Sequence, residues 1–411
     1  MLGGILVIIF SGFISFAIVD RLKKRYPFID AAYLKRLFFY HLLLFLAYYG
    51  YVSVNSSDST YYYWKVMNDY RGPTWSSFYA TSTRFIEFVG YPFIRFLGFS
   101  YEAIMALFSL LGYLGFVYFY VFFKENIRFK HTFWKYDLIH LFFLLPNLHF
   151  WSSSFGKGSI IFFGLGLFFY GLSKIRTRML ALIIGGVIIY HVRPHIMLVV
   201  LVSSAVGFVF SSKGIPVTWR VVFLTGALVA FFFIYQDVLK MVGIDEENPV
   251  GQSLDLTHRA SELAKATSGV DITSYNLAFQ VFTFLYRPLF VDAPGALGFF
   301  VSFENVFYLI ISLSLLGRLK GWKFLLTGNF LIKSCFLSFL TISIALAQVS
   351  GNLGLAIRQK SQVMLLFMFV IIAFLDEQKL LTWRKRKAHK ARQEEIQKLR
   401  QIAEAQRLSQ S

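Results

Sequence analysis

Eleven apolar stretches run through this chain, near residues 3–19, 37–54, 102–123, 138–151, 159–173, 179–192, 196–211, 220–236, 301–317, 324–349 and 362–375. That pattern restricts the chain to an all-α integral membrane protein of about eleven transmembrane helices. Several stretches are shorter than the roughly 20 residues a perpendicular span needs, so kinked or broken helices are expected around Pro146–Ser159 and Val192–His195. The segments between the stretches alternate in charge. Six of them, Arg21–Arg36, Lys124–Lys135, Lys174–Arg178, Lys213–Arg220, Arg318–Lys323 and Lys379–Arg407, hold 28 of the 41 Lys and Arg residues. They fall on alternate sides of the apolar runs, as the positive-inside rule requires of cytoplasmic loops. Eleven crossings then place the N-terminus outside and the C-terminus inside.

Composition narrows the partners. The chain is 56% hydrophobic and 15% charged, with a net charge of +19. Most of that charge sits in the cytoplasmic loops and tail, where it meets anionic lipid head groups, so no nucleic acid is needed to explain it. The single cysteine, Cys335, lies in an apolar run and excludes an internal disulfide framework or a thiolate metal site. No cleavable signal peptide is evident. Leu2–Val19 is followed by Asp20 and a basic cluster and reads as a retained first span. The expected organisation is a polytopic domain over 1–376 and a basic helical tail over 377–411, in the cytoplasmic (inner) membrane of a cell. No clear internal repeat marks an inverted-repeat transporter.

Two external loops are long, at about 55–101 and 236–300. The first is rich in aromatic and Ser/Thr residues and carries the turn signal Arg71-Gly72-Pro73. In the second, Asp255–Thr267 reads as a short polar helix, and Phe279–Phe300, broken at Arg287-Pro288 and Asp292–Gly295, reads as a re-entrant or interfacial segment.

Chemistry is expected among the outward polar residues, whose charges orientation does not explain. Asp58 lies just past the outer end of the second span. It suits a general base at the membrane surface, or equally a helix cap. Tyr61, Tyr62, Tyr63 and Trp64 suit either sugar stacking or an interfacial aromatic belt. Arg193 stands in a tight loop between two apolar runs, Arg287 in Tyr286-Arg287-Pro288, and Arg358 just before the last run. A guanidinium fork matches phosphate oxygens and keeps its charge. Each arginine alone also suits a head group, or an acid such as Asp292 or Glu304. The stretch Pro146–Gly158 is the most polar break in an apolar hairpin, and Lys157 there offers a point charge to phosphate. His149, His191 and His195 lack metal-ligand spacing, so no metal site is expected. Lys333, inside an apolar run, is expected to snorkel or pair.

These motifs carry a resemblance. Pro146-x-x-x-Phe150-Trp151-Ser-Ser-Ser-Phe-Gly-Lys157, then Val192-Arg193-Pro194-His195, Arg287-Pro288 with Glu304-Asn305, and Arg358-Gln359 are similar to a group of bacterial polytopic proteins of surface-polysaccharide assembly. These are the EpsG-like and O-antigen-polymerase (Wzy-type) proteins and the GT-C glycosyltransferases. The similarity is an ordering of short motifs over roughly residues 50–375. Ser59 stands where GT-C enzymes often carry a second acid, and Gly158 where the nearest relatives are expected to carry one. The resemblance implies a GT-C/polymerase-like helical bundle that transfers a sugar or oligosaccharide from a polyprenyl-linked donor, without a cofactor. It implies Asp58 as base and His195 as a second proton-handling group. Arg193, Arg287, Arg358 and Lys157 would bind the donor's phosphates, with Trp151, Tyr62 and Trp64 in the binding site. Membrane lipids and other polysaccharide-assembly proteins are the implied partners. The rival readings are a lipid-linked glycan flippase, with function-bearing charges deep in several helices, and a non-catalytic subunit of a polysaccharide complex.

Overall fold

The computed structural model describes residues 2–211, 216–242, 269–293 and 295–408. Helices α1 (Leu2–Arg25) and α2 (Ala31–Val54) come first, then two short helices, α3 (Asp58–Met67) and α4 (Thr83–Tyr91), before α5 (Tyr101–Asn126). An antiparallel hairpin, β1 (Thr132–Phe133) with β2 (Tyr136–Asp137), leads to α6 (Leu138–Phe142) and α7 (Pro146–Trp151). There follow α8 (Lys157–Ser173), α9 (Ile175–Val192), α10 (Pro194–Val209) and α11 (Val217–Val242). The described chain closes with α12 (Leu277–Tyr286), α13 (Gly295–Leu316), α14 (Leu319–Thr327), α15 (Phe330–Ala347) and α16 (Leu353–Leu408).

Seven of these helices, α1, α2, α5, α9, α11, α13 and α15, are long and apolar enough to cross a membrane. Burial sorts them. Helix α8 is apolar on all sides and buried along nearly its whole length, and α5 beside it buries Tyr113, Phe116, Phe119 and Tyr120 completely. A helix with no polar face belongs in the interior. By contrast, α1 exposes Leu2, Ile5, Leu6, Ile9, Phe10 and Phe13, and α11 exposes Leu228, Phe232 and Phe233. Apolar surface on that scale is stable against lipid and not against water.

Each expected apolar run falls on helix, with three differences of local cause. The run 138–151 is two short helices, because Asp137 caps α6 by accepting the Ile139 N–H at 2.9 Å and Pro146 starts α7 afresh. The run 324–349 divides at Gly328-Asn329, where the Asn329 side chain accepts the Ile332 N–H at 3.1 Å and caps α15. The last run lies within α16, which continues unbroken into the basic tail. The apolar stretch Phe279–Phe300 is likewise not one helix: α12 stops at Tyr286 and α13 starts at Gly295. The polar helix expected over Asp255–Thr267, and Lys213 of one basic segment, lie outside the described residues.

The basic segments gather at one end of the bundle, the lower end below. There the buried Arg178 guanidinium binds both oxygens of Glu125 at 2.8 and 2.9 Å and stacks on Tyr170, with Tyr26 at 3.0 Å and Lys174 also on Glu125. Arg128 pairs with Glu377, and Lys379 donates to the Lys130 carbonyl at 2.9 Å. Lys333 reaches the Phe210 carbonyl at the end of α10, so it caps a helix terminus at 2.6 Å. The opposite, upper end carries α3, α4 and the starts of α8, α10 and α16.

Candidate functional site

At the upper end most of the described outward cations fall into two sets, and Arg84, outside both, donates to the Ser77 carbonyl at 2.7 Å. Lys65 and Arg71 both pair with the fully buried Glu87, at 3.5 and 3.1 Å, and Arg95 pairs with Asp69 at 2.8 Å. These three hold the 55–100 loop together. Arg287 is paired with Asp292, in the turn between α12 and α13. Lys157, Arg193 and Arg358 are the second set, and they converge on one cavity of about 260 Å³.

Helix starts build that cavity. Asp58 is the first residue of α3, after its N-cap Ser57, and Ser82 is the N-cap of α4. Lys157 opens α8, and Arg193 is the N-cap of α10, where Pro194 can follow because a first-turn residue needs no N–H partner. Leu355, Arg358 and Gln359 occupy the first two turns of α16. Five helices therefore begin at the cavity wall. Each brings the positive end of its macrodipole, which favours an anion.

The side chains add to the same field. Arg358 donates to Asp58 Oδ2 at 2.8 Å and lies 5.7 Å from the centre of the Trp151 ring. Lys157 donates to the Ser82 hydroxyl at 2.9 Å. The Ser82 N–H in turn donates to the His191 carbonyl, fastening the 55–100 loop to the end of α9. Arg193 has no carboxylate in ion-pair range among the described residues, and its buried Nε has no hydrogen-bond partner. Burial, helped by the Arg358 charge, pushes the Arg193 guanidinium down from its ordinary value to about 10. Burial and the nearby Asp58 carboxylate push the Tyr62 phenol up to about 12, so this buried residue enters the cavity as a neutral hydroxyl. His195 lines the cavity within reach of the Arg193 and Lys157 charges.

Six of the side chains singled out from sequence, Asp58, Tyr62, Lys157, Arg193, His195 and Arg358, line this cavity, and Trp151 backs Arg358. Two do not join them. Trp64 is exposed and stacks on Tyr61, and Arg287 is engaged by Asp292. Glu304 does not serve an arginine: it accepts the Asn147 N–H at 2.7 Å, at the start of α7. Asn305 accepts from the buried Lys360 at 2.6 Å, and Lys360 also reaches the Arg287 carbonyl at 3.1 Å. Two of the three histidines have partners of their own. His149 faces His41 across 2.9 Å, and His191 meets the Tyr79 hydroxyl at 3.0 Å. Sequence reasoning missed Ser82, Leu355 and Gln359. Ser82 carried a signal, as a Ser-Thr pair ahead of an amphipathic stretch is an N-cap pattern. Gln359 stood in the motif Arg358-Gln359 but was given no role there.

No family model, no curated protein and no solved structure matches the chain.

Proposed function

We propose that the protein transfers a sugar or oligosaccharide from a polyprenyl-phosphate or polyprenyl-diphosphate donor at the outer face of the cytoplasmic membrane, in surface-polysaccharide assembly. The observation that carries this reading is the meeting of one carboxylate with Lys157, Arg193 and Arg358 at five helix starts. The cavity lies at the end of the bundle opposite the basic segments. With the positive-inside rule, eleven crossings and an outward N-terminus, that end faces away from the cytoplasm. A lipid-linked donor can present its phosphates at such a depth while its chain stays in the bilayer.

The chemistry follows from the groups present. The acceptor hydroxyl oxygen attacks the anomeric carbon as the bond from that carbon to the phosphate oxygen breaks. Asp58 takes the hydroxyl proton, and the cations hold the charge that grows on the departing phosphate. These donors are fixed before the reaction begins, so they reorganise little during it.

One observation favours the flippase reading, namely charges buried within the bundle. Glu304 and Lys360 are both buried, as that reading requires. Each, however, neutralises the end of a short helix. Glu304 accepts from the first turn of α7, and Lys360 donates to the Leu285 and Arg287 carbonyls at the end of α12. Such partners make them fixtures of two broken helices.

The test is reconstitution of the full chain in liposomes with extracted polyprenyl-diphosphate glycans, followed by mass spectrometry beside an Asp58→Asn variant. Longer or newly glycosylated chains, with loss of about 10²–10⁴-fold in rate in the variant, support the reading. Movement of an unchanged glycolipid across the bilayer sinks it.

A further inference from the structure

The Asp58–Arg358 ion pair joins the base to the anion site, and its two halves differ in freedom. Arg358 is mostly enclosed, its side chain 23% exposed, and is held over Trp151 on the long helix α16. The Asp58 side chain is 54% exposed, at the cavity mouth on the short helix α3. Rotation of the Asp58 side chain alone undoes the contact. This carboxylate is the anion paired with Arg358, and its charge also reaches Lys157. A carboxylate oxygen on a guanidinium N–H occupies the place a phosphate oxygen takes.

We propose that Asp58 is a latch displaced by the ligand: a phosphate oxygen of the donor replaces it on Arg358, so the base is freed only once the donor is seated. The proposal also names the donor's charge class, a diphosphate diester carrying two negative charges. Counting Lys and Arg against Asp, the lining bears three positive charges and one negative, a surplus of two. A monophosphate diester, with one charge, leaves the cavity positive. A diphosphate diester neutralises it.

The balance holds through the reaction. When the acceptor oxygen bonds to the anomeric carbon, the carbon–oxygen bond to the diphosphate breaks and its electron pair stays on the diphosphate. The diester dianion thus becomes a monoester with a third negative charge. The proton released by the acceptor goes to Asp58, which becomes neutral and leaves the lining at plus three. Pocket and ligand are matched before and after transfer, and unlike charges at these separations are costly to leave unmatched. This rests on the glycosyl-transfer reading for the role of Asp58 as base. The exchange on Arg358 stands apart from that reading and is testable without any transfer.

The experiment is a binding cycle on the full chain in nanodiscs, with inorganic pyrophosphate, P1,P2-dimethyl diphosphate and dimethyl phosphate as probes and calorimetry as readout. Wild type, Asp58→Asn, Arg358→Gln and the double variant are compared, each accepted only when its thermal melt matches wild type. Arg358→Lys replaces Arg358→Gln if that variant does not fold. The latch predicts that Asp58→Asn binds pyrophosphate about tenfold tighter, and that the same change made on Arg358→Gln (or on Arg358→Lys) gains about threefold or less, since coupling is confined to groups in contact. It also predicts that wild type prefers P1,P2-dimethyl diphosphate, a diester with two charges, over dimethyl phosphate, a diester with one, by tenfold or more. An unchanged or weaker affinity in Asp58→Asn, or an equal gain in both backgrounds, overturns the latch. Equal affinity for the two diesters overturns the charge class. Failure of the transfer assay with this cycle intact removes the enzymatic reading and leaves the latch standing.

Discussion

Arg193 and Arg287 look alike in sequence, each next to a proline at the edge of an apolar run, yet their surroundings separate them. Arg193 faces the cavity with no acid partner among the described residues, whereas Arg287 is neutralised by Asp292 five residues on. Arg193→Ala is expected to lower transfer about 10²–10³-fold, the usual cost of one preorganised donor to a developing anion. Arg287→Ala should stay within about threefold, since its loss alters a turn and not the cavity. Initial rates on the reconstituted protein decide it, and similar losses in both variants would return Arg287 to the site. The contrast shows where single-residue reasoning ran short. Asp58, Arg193 and Arg358 were legible because a charge at the edge of an apolar run is costly without a reason. The pairing of Arg287 with Asp292 was a weighed alternative, and only a folded turn decides between it and phosphate. Ser82 and Gln359, uncharged and common in loops, gave composition nothing to notice.

At the scale of elements, the pocket is held by close approach of helix backbones. Helices α8 and α9 meet where a Cβ added at Gly185 would lie 2.6 Å from the Phe168 nitrogen and 2.8 Å from the Gly164 carbonyl oxygen. The next residue, Gly186, would meet only side chains, Met197 at 3.4 Å and Phe168 at 3.9 Å. Small residues at such crossings let membrane helices pack backbone to backbone. Gly185→Ala is therefore expected to cost about 1–3 kcal/mol through overpacking, and Gly186→Ala within about 0.5 kcal/mol. Melting of the two variants in the same detergent measures the difference, and equal midpoints would mean the helices are free to separate. The apolar runs announced these helices, and Pro146 announced the break before α7. The split of 324–349 was missed because Gly328-Asn329 lies in a run whose mean hydropathy hides two polar-capable positions. No periodicity reports which glycine faces a neighbour, since that depends on the rotation of two helices about each other.

The whole molecule is asymmetric along its axis, and the site's meaning depends on which end faces out. Its lower end carries Arg25, Arg128, Lys174, Arg318 and the exposed tail of α16, largely without acids in excess. Among the described upper-end cations, Lys65, Arg71, Arg95 and Arg287 are paired with acids, Arg84 donates to the Ser77 carbonyl, and Lys157, Arg193 and Arg358 are drawn into the cavity. Charge that is neutralised inside the fold weighs little against the exposed lower cluster, so the orientation rule points the same way after pairing as before. The lone Cys335 is fully buried, and Cys335→Ala gives a background for single reporters. Asn55 and Ala391 are exposed at opposite ends. In intact cells a membrane-impermeant maleimide is expected to label Asn55→Cys at once. Ala391→Cys should label only after the membrane is opened. The reverse pattern would put the cavity in the cytoplasm, where nucleotide-linked sugars are the available donors, and a lipid-linked donor at the outer face would no longer explain three cations and a carboxylate at five helix starts.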